Sequence, residues 1–242
     1  MKIMILITAS IFLINFNTQS QSVIIYQAGT ALSVGAGADI CADGVNINGT
    51  FTGPGTICGS VAFILNLTAF IQGFYDPSLN TMVSDTITVY IRNAIAPYAK
   101  KDSAKSLLNS FGIGTFIFYN VINSTNYYLD IKHRNSIETW SNTAVPFSSG
   151  ILTFDFTIAS NKAYGSNQIQ VDVAPLRYAI YSGDVNQDGF TNLTDLVGIN
   201  NGTANFLTGY VPTDVNGDNI VNLTDLLITY NNSSNFVSIK KP

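Results

Sequence analysis

Two near-copies of one phrase close the chain: "DVNQDGFTNLTDL" from Asp184 to Leu196 and "DVNGDNIVNLTDL" from Asp214 to Leu226. A hard dication takes six to eight oxygen ligands. A twelve-residue loop can supply them from positions 1, 3, 5, 7, 9 and 12, the seventh through its backbone carbonyl, with a sharp turn at position 6. On that template the first phrase offers Asp184, Asn186, Asp188, the Phe190 carbonyl, Asn192 and Asp195, with Gly189 at the turn. The second offers Asp214, Asn216, Asp218, the Ile220 carbonyl, Asn222 and Asp225. Its turn residue is Asn219, the non-glycine type that best tolerates a positive φ, a tolerable replacement that is expected to weaken this site against the first. All six acidic residues after Gly183 fall at position 1, 5 or 12. Solvated acidic turns have no reason to be confined in that way, so the pattern predicts two calcium sites.

The repeat outlasts the loops. "NGTANFLT" and "NSSNFVS" align at the same spacing, Asn201 with Asn231, Asn205 with Asn235 and Phe206 with Phe236. Each unit reads as an EF-hand-type loop, a short helical start and an Asn-Phe anchor. Neither can bury its Leu and Phe alone, so the two are expected to pack face to face. Calcium binding then becomes part of the folding free energy. The helix after the first loop is expected to be poor, because "LVGINNGTANF" holds two glycines and three asparagines. Each Gly costs about 1 kcal/mol against Ala inside a helix.

Paired "DVNxDGxxNxxDL" loops resemble a type I dockerin, over about residues 183–242. That resemblance implies a calcium-dependent module docking onto a cohesin domain, often in extracellular polysaccharide-degrading assemblies. It also implies that the tenth and eleventh loop positions, here Leu193, Thr194, Leu223 and Thr224, contact the partner. Leucine replaces the small hydroxyl residue common at the tenth position, and the usual basic pair is missing from the helix. The calcium ligands therefore carry over better than the partner, and an intramolecular partner, the preceding β-sandwich, stays open.

The elements that must position these loops are read from alternation. In "AFILNLTAFIQG", Phe63, Leu65, Leu67, Ala69 and Ile71 share a face; in "TITVYIR", Ile87, Val89 and Ile91 do. "YYLDIKHR" aligns Tyr127, Leu129, Ile131 and His133, and "LTFDFTI" aligns Leu152, Phe154, Phe156 and Ile158. Period two with β-branched and aromatic residues between turn clusters predicts a mainly β fold, an antiparallel β-sandwich over 61–176, followed by a small α module with two calcium loops over 177–242. "SAKSLLNSFG" has some helical character and reads equally as a strand. The stretch "GIGTFIFYNVINSTNYYLDIKHRN" resembles transthyretin-like or carboxypeptidase-regulatory-like sandwich modules, through a Gly-x-Gly turn, an aromatic strand and a Tyr-rich strand.

The 242 residues carry 11% charged and 12% aromatic side chains and a net charge of −4, with no basic run that would serve nucleic acid. Lys2, the apolar run Ile3–Phe16 and "TQSQS" predict a signal peptide over 1–20, cleaved near Ser20 or Ser22, hence a secreted or surface-associated protein. A retained anchor is the alternative. Cys41 and Cys58 bracket a Gly- and Thr-rich segment within 21–60, read as short strands or a linker, and a disulfide between them suits an oxidising compartment; unpaired thiols are the other reading.

No catalytic residue and no organic cofactor are expected. His133, the only histidine, falls in phase with the inner face and lacks a nucleophile motif. Glu138 is the only glutamate, whereas glycoside hydrolysis needs two carboxylates across one bond. Tyr127, Tyr128 and Trp140 are the residues for a sugar-stacking platform, if one exists. The sequence thus favours a non-enzymatic calcium-binding protein of extracellular assembly. A carbohydrate-binding accessory protein, a sandwich with a purely structural calcium cap and, last, a hydrolase are the rivals.

Overall fold

The computed structural model describes residues 23–26, 30–35, 39–47, 50–52 and 56–242, and the chain parts into two compact units between Ser60 and Val61. The expected signal segment lies outside the described residues, as do the side chains of Cys41 and Cys58, so their expected disulfide does too. In the first unit β1 (Val23–Tyr26) runs parallel to β3 (Asp39–Ile47), and β2 (Ala31–Ser33) runs parallel to β4 (Thr50–Thr52). With β5 (Thr56–Val61) on the β1-β3-β5 sheet, this Gly- and Thr-rich segment contains β structure. No helix among the described residues is long and apolar enough to cross a membrane.

The second unit holds β6 (Phe63–Thr68), β7 (Tyr75–Asp76), β8 (Thr81–Met82), β9 (Asp85–Asn93), β10 (Lys100–Leu108), β11 (Ile113–Phe118) and β12 (Asn126–Lys132). Then come β13 (Thr139–Trp140), β14 (Val145–Pro146), β15 (Ile151–Asp155), β16 (Ile169–Val173), β17 (Leu176–Ala179) and the helices α1 (Leu193–Ala204) and α2 (Leu223–Ser234). One sheet is ordered β10-β9-β12-β13, with β14 also on β12; the other is β11-β6-β15. Their inward residues meet in one core in which Leu65, Leu67, Val89, Ile91, Phe118, Leu129 and Ile131 are each 0% exposed. The stretch of ambiguous character lies largely in β10, and the aromatic and Tyr-rich strands of the transthyretin-like segment, β11 and β12, lie in different sheets.

Two strand expectations are corrected. The sandwich is not wholly antiparallel: β15 runs parallel to β6, with Ile151 opposite Ile64 and Asp155 opposite Thr68. Parallel neighbours need a long crossover, and here strands of the opposite sheet lie in the chain between them. Ile158 leaves the inner face and is exposed, because the strand ends at Asp155, whose carboxylate accepts from the Thr157 N–H and hydroxyl and turns the chain.

The helical segment packs against the end of the sandwich, within the same compact unit. Asp85 at the start of β9 is the node. One oxygen accepts from His133 Nε2 (3.1 Å) and Arg134 Nε (3.0 Å), the other from the Tyr210 hydroxyl (2.7 Å) and Thr86 N (2.6 Å). Burial pushes this carboxyl upward, but the bonds from His133 and Tyr210 outweigh it and hold Asp85 well below the usual carboxylate range. Burial also lowers the His133 pKa. As neutral imidazole it donates from Nε2 to Asp85, which leaves Nδ1 to accept from Ser136 Oγ at 2.9 Å. Elsewhere on the seam, Asn232 of α2 donates to Gln72 Oε1 (2.6 Å) and the Ser182 carbonyl (2.7 Å). Gly73 lies so close that a Cβ there would collide with the Val215 carbonyl oxygen.

Two outcomes follow. Asp85→Asn should lower stability at pH 7 by about 3 kcal/mol, the scale of breaking a buried, charged hydrogen-bond set. Because the Asp85 pKa is depressed, its stabilisation is present above the ordinary carboxylate range and is lost as pH falls. Thermal unfolding should therefore show the gap between wild type and Asp85→Asn constant from pH 7 to about 5 and narrowing from about pH 4 toward pH 2; a gap constant down to pH 2 would contradict the assignment. Gly73→Ala should cost about 2 kcal/mol by overpacking the seam, read as a lower denaturant midpoint.

Candidate functional site

Each of the two predicted loops feeds the helix that follows it. Asn192 and Asn222 are the N-caps of α1 and α2, and their side chains accept from Thr194 N and Thr224 N, each at 2.7 Å. Asp195 and Asp225 complete a capping box by accepting from the N-cap N–H, at 2.9 Å in both cases. Their other oxygens bond back to the loop entrance, Asp195 to Val185 N and Asn186 N, Asp225 to Val215 N and Asn216 N. The twelfth position thus ties loop to helix, which is why both helices run for 12 residues despite their Gly and Asn content. The expectation of a poor first helix is corrected on this point. Gly202 has a use as well: it is buried, and a Cβ there would press Val221 at 3.0 Å.

The first position closes each turn. Asp184 accepts from Asp188 N and Gly189 N, both at 3.1 Å; Asp214 accepts from Gly217 N (2.8 Å) and Asn219 N (3.2 Å). Positive φ angles stand at the fourth and sixth positions of both loops, Gln187 (60°) and Gly189 (89°), then Gly217 (77°) and Asn219 (66°). The sixth position is legible from the loop template; the fourth, where the second loop places its glycine, is not. The loops also exchange backbone bridges with the other half's tail, Phe190 with Ser238 and Ile220 with Thr208, which repeats the thirty-residue symmetry.

Carboxylates crowd this arrangement. Asp184 and Asp195 are 2% and 0% exposed, Asp214 and Asp225 1% and 0%. Burial, then the like charges of Asp195 and Asp188, push Asp184 up to about 6; burial raises Asp195 and Asp225 as well. Among the described residues no three His, Cys, Asp or Glu side chains converge closely enough to cage an ion; loop N–H groups occupy the inner oxygens instead. The donor set still fits a hard dication in chemistry. Each loop holds three carboxylates, two carboxamides and a position-7 carbonyl, on a turn whose left-handed positions suit a calcium loop.

Between the helices lies a groove of about 650 Å³ lined by Leu193, Leu196, Val197, Asn200, Leu223, Leu226, Leu227 and Tyr230. These eight residues are four repeat pairs, each thirty positions apart. Leu193 is 70% and Leu223 72% exposed, and Val197, Leu227 and Tyr230 are exposed beside them. Thr194 and Thr224 are exposed at the same helix starts. Exposed apolar residues that recur on symmetric positions are unusual on a monomer surface. The expectation that Phe206 and Phe236 are buried anchors is corrected: they are 87% and 88% exposed, because each follows its helix with a positive φ that turns the side chain outward. The small core between the halves is built from Ile199, Val215 and Val221 instead.

The other tempting sites are occupied by packing. His133 lies between Asp85 and Ser136 in a triad-like row, but the three are 3%, 4% and 0% exposed, so no substrate reaches the hydroxyl. Trp140 and Tyr127 are 4% and 2% exposed and form no platform. The Trp140 ring is held against Arg92 (5.3 Å), Tyr98 and Tyr128, and its indole N–H donates to Glu138. Glu138 also pairs with Lys132, and nearby Asp130, buried and repelled by Glu138, is pushed up to about 6 while bonded to Arg92.

No family model and no curated protein matches this chain. Among solved structures it is similar to chains from two interface mutants of the type II cohesin–X–dockerin complex from Acetivibrio cellulolyticus. The C-terminal interface mutant matches with a TM-score of 0.41 and 17% identity, over 72% of this chain and 99% of that one. The N-terminal interface mutant matches with a TM-score of 0.40 and 19% identity, over 73% and 99%.

Proposed function

We propose that this chain is an exported, non-enzymatic docking protein whose calcium-stabilised paired helices engage a cohesin-like domain outside the cytoplasm. One observation carries the reading: the exposed apolar groove whose lining repeats with the loops, led by Leu193 and Leu223. A face of this kind gains more by being covered than by staying in water. The loops Asp184–Asp195 and Asp214–Asp225 would hold one calcium each, through Asp184, Asn186, Asp188, the Phe190 carbonyl, Asn192 and Asp195, and through Asp214, Asn216, Asp218, the Ile220 carbonyl, Asn222 and Asp225. Bound calcium would neutralise the crowded carboxylates. The protein's own part is the capping box, which sets where each helix starts and so the spacing of Leu193 and Leu223. An affinity of roughly 10⁻⁴ M or tighter suits an extracellular module. A polysaccharide-degrading assembly is the setting that the dockerin resemblance implies.

A second reading has its own observation. The seam through Asp85, Arg134, Gln72 and Asn232 supports a reading in which the helical segment caps the sandwich and calcium would have a structural role. A glycan-binding reading has less in its favour, since Trp140 is packed inside the protein.

Two experiments separate these readings. Leu193→Glu with Leu223→Glu should weaken binding to a purified cohesin-like domain at least 100-fold, on the scale of about 2 kcal/mol for each central contact, with calcium affinity unchanged. Unaltered binding would contradict the docking face, and no binding by the wild type would favour the cap. Calorimetric calcium titration should show two sites, one lost in Asp184→Ala and the other in Asp214→Ala, with thermal stability raised by calcium.

A further inference from the structure

The repeat symmetry breaks at one charge. In the first loop Asp184 is closed by backbone N–H groups, and no Lys or Arg pairs with it among the described residues. The neighbouring sandwich contact is neutral: Gln187 Nε2 donates to the Ser136 carbonyl at 3.2 Å and to the Asp184 carbonyl at 2.6 Å. In the second loop the equivalent Asp214 faces Arg134, whose Nη2 lies 3.5 Å from Oδ2. That guanidinium is fixed on every side. Its Nε donates to Asp85, its Nη1 donates to the Val211 carbonyl, and it stacks 4.2 Å from the Tyr210 ring centroid and 5.4 Å from that of Phe74. Asn135 Nδ2 adds a bond to the Asp214 carbonyl at 2.6 Å.

We propose that Arg134 makes the two loops unequal: it holds the second loop closed without metal and weakens calcium there, leaving the first loop as the calcium-responsive one. The inference rests on the calcium reading of the loops. A guanidinium that shares the position-1 carboxylate does two things. It supplies part of the charge that a dication would otherwise supply. It also stands as a fixed positive neighbour to any ion that enters, in a buried place where solvent screens poorly. Arg134 lies in the segment just after β12, which ends at Lys132, and belongs to neither loop. The two loops carry the same side-chain ligands, so the difference assigned to Arg134 comes from the sandwich.

The test is a calorimetric calcium titration of the full chain with thermal unfolding in EDTA and in calcium, for wild type, Asp184→Asn, Asp214→Asn, Arg134→Met and Arg134→Lys. Wild type should show two events about tenfold or more apart, the tight one lost in Asp184→Asn and the weak one in Asp214→Asn. Arg134→Met should bring the two within about threefold, lower Tm in EDTA and enlarge the rise in Tm that calcium produces; Arg134→Lys, which keeps the charge, should retain the gap. Equal wild-type sites, or a tight event that disappears in Asp214→Asn, would overturn the inequality and leave the calcium reading standing. An unchanged gap in folded Arg134→Met would do the same. Should Arg134→Met fail to fold, Arg134→Gln, which keeps a polar donor and removes the charge, is read in its place: a narrowed gap supports the role of Arg134, and an unchanged gap overturns it. Absence of any calcium event in wild type would remove both readings together.

Discussion

Each loop must bring carboxylates at its first, fifth and twelfth positions into a turn of twelve residues, while the first and twelfth are withdrawn from water. Burying like charges together is costly unless each oxygen finds a donor or a cation, and that constraint orders the rest of the helical segment. Asp195 and Asp225 spend their oxygens on the loop entrance and the helix N-terminus, so the helix start is fixed by the same carboxylate that ends the loop. Once both starts are fixed, Leu193 and Leu223 stand at matching places on the exposed face. The exposed apolar groove is thus a consequence of how the carboxylates are satisfied.

The sandwich enters through the segment that follows β12. His133, Arg134, Asn135 and Ser136 bond to Asp85, to Asp214 and to both loops. The second half of the repeat has adapted to this contact. Asn232 stands where the first half has Gly202, and Thr229 where it has Ile199. The polar replacements face the seam, with Asn232 bonded to Gln72 and Ser182, while Ile199 stays in the small apolar core. Internal symmetry survives on the outward side of the helices and is given up on the inward side.

Much of the sandwich was legible because period-two alternation is a direct imprint of one buried face, and Phe63–Ile71, Ile87–Ile91 and Tyr127–His133 carry it clearly. The direction of β15 was not legible, since alternation says nothing about which strand a segment pairs with. The loop positions could be read from spacing. A short helix after each loop could be read from the repeat, but its start at Leu193 or Leu223, two residues before the Asp-Leu pair, depends on the capping box and was not. Phe206 and Phe236 were misread: their apolar character was visible, but the positive φ that sends them outward was not. The Asp85–His133–Arg134 node joins residues far apart in the chain and leaves no local pattern to find. The burial of Trp140 is not legible, because a sequence does not show that Arg92, Tyr98 and Tyr128 close around it.

The most direct measurement is a crystal structure of the full chain grown in calcium, with diffraction recorded where calcium scatters anomalously. Two anomalous peaks are expected, one inside each loop, ringed by oxygens of the first, third, fifth, seventh, ninth and twelfth positions at about 2.4 Å, with the groove between α1 and α2 still open to solvent or filled by a neighbour. Loops that remain closed by their own N–H groups, with no anomalous peak at millimolar calcium, would contradict the calcium reading.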